Sequence, residues 1–217
     1  MPDKAKFDGN RVIFQIQAGD QSGQRTIYDM SQNLCKKHAD RSVHLFMNIQ
    51  NYPITERKNG NGPEVIGPNT KVYIVAHGQG NGITVAGLLG NQMADMFASA
   101  LTKGVRKVVI VACCGVPTPE EMAKDSKFLT NFASLFHRQL GTHNVFTEVS
   151  AYGGFMTVDN AGHKKVITSV TSDGGFIYDF VAKADKVKKT YFWQGDVQKF
   201  RSDYKVTLPQ GEPMDID

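Results

Sequence analysis

Val72-Tyr-Ile-Val-Ala-His77-Gly78 and Val108-Val-Ile-Val-Ala-Cys113 share one pattern: a run of β-branched and aromatic residues that stops on a side chain able to do chemistry. Such runs are long enough for central strands buried on both faces. Residues 91–101, between them, carry Met93, Met96, Phe97, Ala100 and Leu101 at helical spacing, with Asn91 expected as the N-cap. Strand, helix, strand makes neighbouring parallel strands, so both carboxyl ends are expected on one edge of one sheet. A histidine and a cysteine meeting there are the minimum apparatus for thiolate catalysis.

The 217 residues, 41% of them hydrophobic, are enough for one substantial core without disulfides or metal. A net charge of +4 is only mildly basic and gives no reason to expect nucleic acid. Three cysteines, Cys35, Cys113 and Cys114, form neither a disulfide framework nor a zinc pattern, which points to action in a reducing compartment. No apolar run resembles a signal peptide or a membrane span, so no membrane partner is expected, and a monomer is the simplest assembly.

Residues 11–17 read as a first strand, leading through a loop containing Asp20 to a helix with Ile27, Met30 and Leu34 on one stripe. Residues 42–49 are the next strand, and the Asn/Gly/Pro-rich residues 50–70 an exposed connection or loose hairpin. After Cys113, Thr118-Pro-Glu-Glu121 has the form of a capping box. It opens a helix with Phe128, Phe132, Leu135 and Phe136 on its buried face and Gly141 at its end. Residues 144–152 continue as strand. Residues 155–158 and 165–171 flank the turn Asp159-Asn-Ala-Gly162, and 176–180 follow, as hairpins appended to the main sheet. One domain over residues 1–205 is expected, with a flap over about 150–205 and a disordered tail at 206–217.

A strand that breaks at Cys113 into Gly115-Val-Pro117 leaves backbone N–H groups free to hold an oxyanion. The N–H groups of Gly78 and of Cys113 or Cys114 are candidates. His77 is followed by Gly78, Gly80 and Gly82, which let a peptide approach the backbone closely. A thiol near neutral pH is mostly protonated, so an imidazole is needed as base and then as acid for the leaving amine. Asp20, just beyond the first strand, suits a carboxylate that orients His77, and equally a cap for the following helix.

This layout resembles the clan of caspase-like cysteine peptidases. Its nearest likeness is the autoprocessing domain of RTX-type and large clostridial toxins, classed as peptidase family C80. The residues that carry it are His77-Gly78 and Cys113 at strand ends, Ile13-Phe-Gln-Ile-Gln17 before Asp20, Asn33-Leu-Cys-Lys-Lys-His38, Ser42-Val-His-Leu-Phe46, Ala86-Gly87-Leu88 and Ala161-Gly162-His163-Lys164-Lys165. The resemblance implies an α/β fold: a caspase-like, mostly parallel central sheet flanked by helices, with a C-terminal β-hairpin flap. It implies Cys113 as nucleophile, His77 as general base and Asp20 as orienting acid. Ala76 and Ala112 stand where the toxins usually have glycine, and the adjacent Cys114 leaves the nucleophile open to a swap.

The toxin domains are switched on by inositol hexakisphosphate, an allosteric activator that is not consumed, and they use no metal. Positions matching its contacts are Lys37, Lys71, His163, Lys164 and Lys165, with Lys183, Lys186 and Lys188 beyond them; a solvated basic face fits the same residues. The relatives cleave after Leu, usually in their own chain. The partners implied are therefore a polypeptide substrate, self or host, and an inositol polyphosphate. The setting implied is a secreted bacterial toxin or effector acting in host cytosol. Two rivals remain: a non-catalytic inositol-polyphosphate-binding module of the same fold, and an α/β-hydrolase. The latter is disfavoured because no Gly-x-Ser-x-Gly elbow is present.

Overall fold

A computed structural model describes residues 9–17, 24–49, 55–62, 66–79, 82–101, 104–113, 115–116, 130–167 and 182–202. The framework is a run of parallel strands: β1 (Asn10–Gln17), β2 (Ser42–Asn48), β4 (Thr70–Val75), β7 (Lys107–Val111) and β8 (Glu148–Tyr152). They lie side by side in the order β2-β1-β4-β7-β8. Val72, Ile74, Val108 and Ile110 are fully buried on one face, while Tyr73, Val75, Val109 and Val111 are buried on the other. That two-sided burial explains the near-continuous apolar runs. Antiparallel strands finish both edges: β3 (Thr55–Asn59) beside β2, and the hairpin β12 (Lys188–Gln194) and β13 (Val197–Ser202) beside β8.

Two helices, α2 (Gly90–Leu101) and α3 (Phe132–Thr142), cover one face. The larger core lies beneath them, with Met93, Phe97, Leu101, Phe132, Phe136 and Leu140 packed on Val12, Phe14, Ile74 and Ile110. The other face is covered by α1 (Gln24–Lys36) and a small sheet made of β9 (Phe155–Val158), β10 (Lys164–Ile167) and β11 (Ala182–Lys183). In α1, Ile27, Met30, Ser31, Leu34 and Cys35 are buried, the i, i+3, i+4, i+7, i+8 stripe of an amphipathic helix. The strand order reverses between β1 and β4, which opens a crevice beyond their carboxyl ends, where open α/β sheets bind ligands.

Several local expectations change. Of the two readings of residues 50–70, the hairpin holds for 55–59, which pair antiparallel with β2 as an edge strand of the main sheet. Helix α2 starts at Gly90, so Asn91 lies inside its first turn; the Gln92 side chain reaches back to accept from Leu89 N–H at 2.9 Å, as in a capping box. Gly90 must be glycine because a Cβ there would lie 2.7 Å from Phe136 N, where α2 crosses α3. Gly141 does not end α3. The helix runs to Thr142, the chain reverses at Asn144 (φ 60°), and Gly141 is bare because a Cβ would overlap the Trp193 indole. Strand β8 begins at Glu148 rather than at 144. Of residues 150–205, read as one flap, 155–158, 164–167 and 182–183 form the separate small sheet, whereas 188–202 extend the main sheet. The helix carrying Phe132, Leu135 and Phe136 is not opened at 118–121: it starts at Phe132 behind Asn131, an N-cap in extended backbone. Residues 118–121 themselves, the strand at 176–180 and the tail beyond 202 lie outside the described residues. No described helix is long and apolar enough to cross a membrane.

Candidate active site at the sheet edge

Strands β4 and β7 are paired in register from Lys71↔Lys107 to Val75↔Val111. Two residues beyond the last pair stand His77 on one chain and Cys113 on the other, so the register carries them out to the same level. The Ala76 N–H donates to Val111 O at 3.3 Å, which holds the chains together one residue further. Gly78 then lies against the Cys113 backbone: a Cβ built on it would overlap the Cys113 carbonyl oxygen and come within 3.0 Å of Cys113 N. Only glycine permits that approach. Tyr73, Val75, Val109 and Val111 face α1, and His77 and Cys113 share their parity.

The chain after His77 folds back as a short hairpin. Gln79 N–H donates to Thr84 O at 3.1 Å and Ala86 N–H to His77 O at 2.7 Å, flanking the isolated bridge Gly78↔Val85. Gly78 thus occupies the position whose own N–H points out of the hairpin. Strands β5 (Thr84–Val85) and β6 (Leu88–Leu89) are joined by Ala86 (φ 52°) and Gly87 (φ 77°), the two positive dihedrals of a type I′ turn. This is the physical content of the Ala-Gly-Leu pattern. His77 is exposed, and Ile83 presents an exposed apolar side chain on the hairpin loop.

Cys113 is half-buried, with Sγ 4.0 Å from Met156 O of β9. Burial pushes its thiol pKa up, and hydrogen bonds with the backbone of Met156 and of Cys113 itself work against the shift without cancelling it. The sulfur is therefore held as a thiol whose proton must be removed before it can attack. Alternate residues of β9 turn their carbonyls off its unpaired edge: Met156 toward Cys113, and Val158 toward Asn33 Nδ2 at 3.2 Å.

The opposite end of the same sheet face carries a row of charge. Arg11, Lys71, Lys107 and Glu148 are register partners on four successive strands, β1, β4, β7 and β8. Lys107 pairs with Glu148 at 3.1 Å. The Lys71 ammonium is pushed down to about 8 by burial first and then by the like charges of Arg11, Lys107, Arg106 and Lys188. Arg11 also hydrogen-bonds Tyr73 in the next row up, and Lys164 of β10 sits over the Tyr73 ring with Nζ 5.2 Å from its centroid. Lys71, Lys164 and Lys188 thus gather at one place. Arg11 and Lys107 join them; the sequence reading missed both, because only cross-strand register shows that they flank Lys71.

The remaining basic candidates are distributed differently. Lys37 donates to Gly162 O at 3.3 Å and packs on the β9–β10 turn, where Gly162 has φ 72° and no room for a side chain. His163 and Lys165 both lean on Asp159, at 3.5 and 3.9 Å, and Lys165 occupies the face of β10 opposite to Lys164. The backbone of Lys183 pairs with Lys165, and Lys186 lies in the 3-10 turn Ala184–Val187. Asp20 and Cys114 lie outside the described residues. Among the described residues no group of His, Cys, Asp and Glu is placed to hold a metal ion.

A protein-family model described as the Peptidase C80 family matches residues 7–167, a span that includes β1 through β10 and both strand ends described above. No curated protein gives a significant match to the chain.

Proposed function

Because the chain belongs to the peptidase C80 family and is therefore a cysteine peptidase, we propose that Cys113 is its nucleophile and His77 its general base. The observation that carries this is the register: β4 and β7 deliver both residues to one level of the sheet edge, with Gly78 and Cys113 in backbone contact. His77 takes the thiol proton as Sγ attacks the scissile carbonyl carbon. The N–H of Gly78, with that of Cys114, receives the oxyanion. The tetrahedral intermediate collapses, the imidazolium gives its proton to the departing amine, and an acyl-enzyme remains. Water deprotonated by His77 then attacks the thioester and frees the thiol. Asp20 is assigned the orienting role from the family pattern. Exposed Ile83 and Phe155, on the two segments that flank the site, support an apolar P1 residue such as Leu.

The proposal extends to control by inositol hexakisphosphate. Its support is the row of like charge around Lys71, because cations that disfavour one another in the free protein are stabilised by a shared polyanion. The small sheet spans the distance between the two ends: Met156 in β9 touches the thiol, while Lys164, paired with Val158, stands over Tyr73 beside Arg11. Phosphates that draw in Lys164 and Lys188 shift β10 and β9 together and release Cys113 from Met156. On this reading the chain is the autoprocessing domain of a bacterial toxin or effector. It senses arrival in host cytosol and cleaves its own or a host polypeptide.

The test is labelling by a Leu-directed, cysteine-reactive probe with and without inositol hexakisphosphate. Labelling that rises at least tenfold with the polyanion is expected. Equal labelling in both conditions removes the switch and keeps the peptidase. No labelling alongside tight, salt-sensitive polyanion binding replaces the reading with a non-catalytic binding module.

A further inference from the structure

The first turn of α3 holds both loops of the candidate site at once. A helix begins with N–H groups that have no partner inside it. In α3, Phe132 N–H donates to Gly82 O at 3.0 Å and Ala133 N–H to Gly115 O at 3.2 Å. Gly82 closes the hairpin that follows His77, and Gly115 lies just after Cys113. Successive peptide units of one rigid turn therefore fix the two chain segments that carry the proposed base and nucleophile.

That turn is itself set by Asn131. Its side-chain oxygen accepts from Ser134 N–H at 3.0 Å, and its carbonyl accepts from Leu135 N–H at 3.1 Å. Its Nδ2 donates to the Tyr191 hydroxyl at 2.7 Å. Asn131 is 3% exposed and Tyr191 1%, so the bond is dry and its geometry is firmly determined. Tyr191 belongs to β12, which extends the main sheet past β8 and lies beyond the residues matched by the family model. The same hairpin grips α3 a second time, through Gln198 to Ser134 O at 3.0 Å and His137 Nδ1 at 2.9 Å.

From these contacts we infer that Asn131 and Tyr191 form a positioning pair for peptide cleavage: the β12–β13 hairpin, through this bond, sets the relative placement of the His77 and Cys113 loops. The inference rests on the assignment of His77 and Cys113 above. Neither residue touches the substrate; each acts through the N-terminal peptides of α3. Displacements of about 1 Å at a reacting centre cost up to about a hundredfold in rate, so loosening the cap is expected to act on the chemical step.

The experiment compares the full-length chain with its Asn131→Ala, Asn131→Asp and Tyr191→Phe variants on a fluorogenic Leu peptide at saturating inositol hexakisphosphate, with thermal melts alongside. Asn131→Ala is expected to lower kcat about ten- to a hundredfold, with KM changed less than twofold. Tyr191→Phe, which removes only the hydroxyl, is expected to fall between it and the parent. Asn131→Asp, which still accepts from Ser134 and from the tyrosine hydroxyl, is expected to restore most of kcat. Val145→Ala, a buried-core change remote from both loops, supplies a destabilised control whose kcat stays at the parent value. Asn131→Ala and Tyr191→Phe variants that melt lower but keep the parent kcat overturn the positioning role while leaving the catalytic assignment standing. A parent chain whose cleavage survives Cys113→Ala overturns both.

Discussion

Gly78 and Cys113 touch through their backbones, and nothing larger than hydrogen fits between them: a methyl group on Gly78 would overlap the Cys113 carbonyl oxygen and lie 2.8 Å from its carbonyl carbon. Two strand ends that begin in register are thereby pinned together at the point where the proposed chemistry occurs.

Gly78→Ala is therefore expected to damage activity more than stability. Overpacking at one site costs about 1–3 kcal/mol. Pushing the two loops apart also displaces the N–H assigned to the oxyanion, a loss of roughly a hundredfold or more in kcat. Thermal melts and peptide cleavage on one preparation measure both; an alanine variant with the parent kcat contradicts the assignment of this N–H.

Lys71 stands between Arg11 and Lys107 on neighbouring strands, and like charges directly opposite destabilise a sheet. Lys71→Met is expected to raise the melting temperature of the free protein, by an amount equivalent to about 1 kcal/mol at most. It is also expected to shrink the further rise caused by inositol hexakisphosphate. A variant less stable than the parent, with its polyanion response intact, removes the row from the binding site.

The depressed Lys71 pKa, about 8, also fixes a pH dependence. Around pH 8 the Lys71 amine of the free protein is partly deprotonated, and a polyanion bound as proposed favours the ammonium, so binding is expected to take up a proton and to weaken as pH rises through 8. Calorimetry in buffers of different ionisation enthalpy reads the uptake, with Lys71→Met subtracting the ligand's own titration. Equal proton uptake by parent and variant contradicts the contact. The same shift has a consequence for folding: the unfolded chain holds this proton up to the ordinary lysine pKa of 10.5, so the stability this group withholds below pH 8 is regained between pH 8 and 10.5.

Much of the site was legible in the sequence because burial on both faces of β4 and β7 writes long apolar runs, and those runs end at His77 and Cys113. The basic row was half legible. Lys71 and Lys188 were picked out as candidates, but Arg11 and Lys107 belong with them only through strand register, which no single segment encodes. The hairpin β12–β13 was missed for a related reason. Lys188 and Lys189 open β12 on opposite faces, with Lys189 fully buried against Phe200, its Nζ 3.8 Å from the ring centroid. A segment whose Lys188 reads as a polyanion contact or part of a solvated basic face thus conceals a strand of the main sheet. Asn131 left no signal either, because its role needs Tyr191, far along the chain.

Two buried histidines set the acid limb of stability. Burial pushes His44, which hydrogen-bonds Gln15 at 2.9 Å, and His137, stacked on Trp193, both down to about 4. The unfolded chain binds these protons near pH 6.5 and the folded protein only near pH 4, so stability falls as pH drops from 6.5 to 4. His137→Gln is expected to flatten that limb, even where it lowers stability at pH 7. Denaturant unfolding across this range measures it, and an unchanged slope contradicts the neutral, buried state of His137.

The most direct measurement is the site of covalent capture. The chain is treated with an irreversible Leu-directed thiol inhibitor in the presence of inositol hexakisphosphate, digested, and sequenced by tandem mass spectrometry. One adduct is expected, on Cys113 Sγ, lost in Cys113→Ala, kept in Cys114→Ala and slowed at least a hundredfold in His77→Ala, as removal of a general base requires. An adduct on Cys114 or Cys35, or capture on Cys113 at the parent rate without His77, contradicts the pairing of imidazole and thiol across the sheet edge.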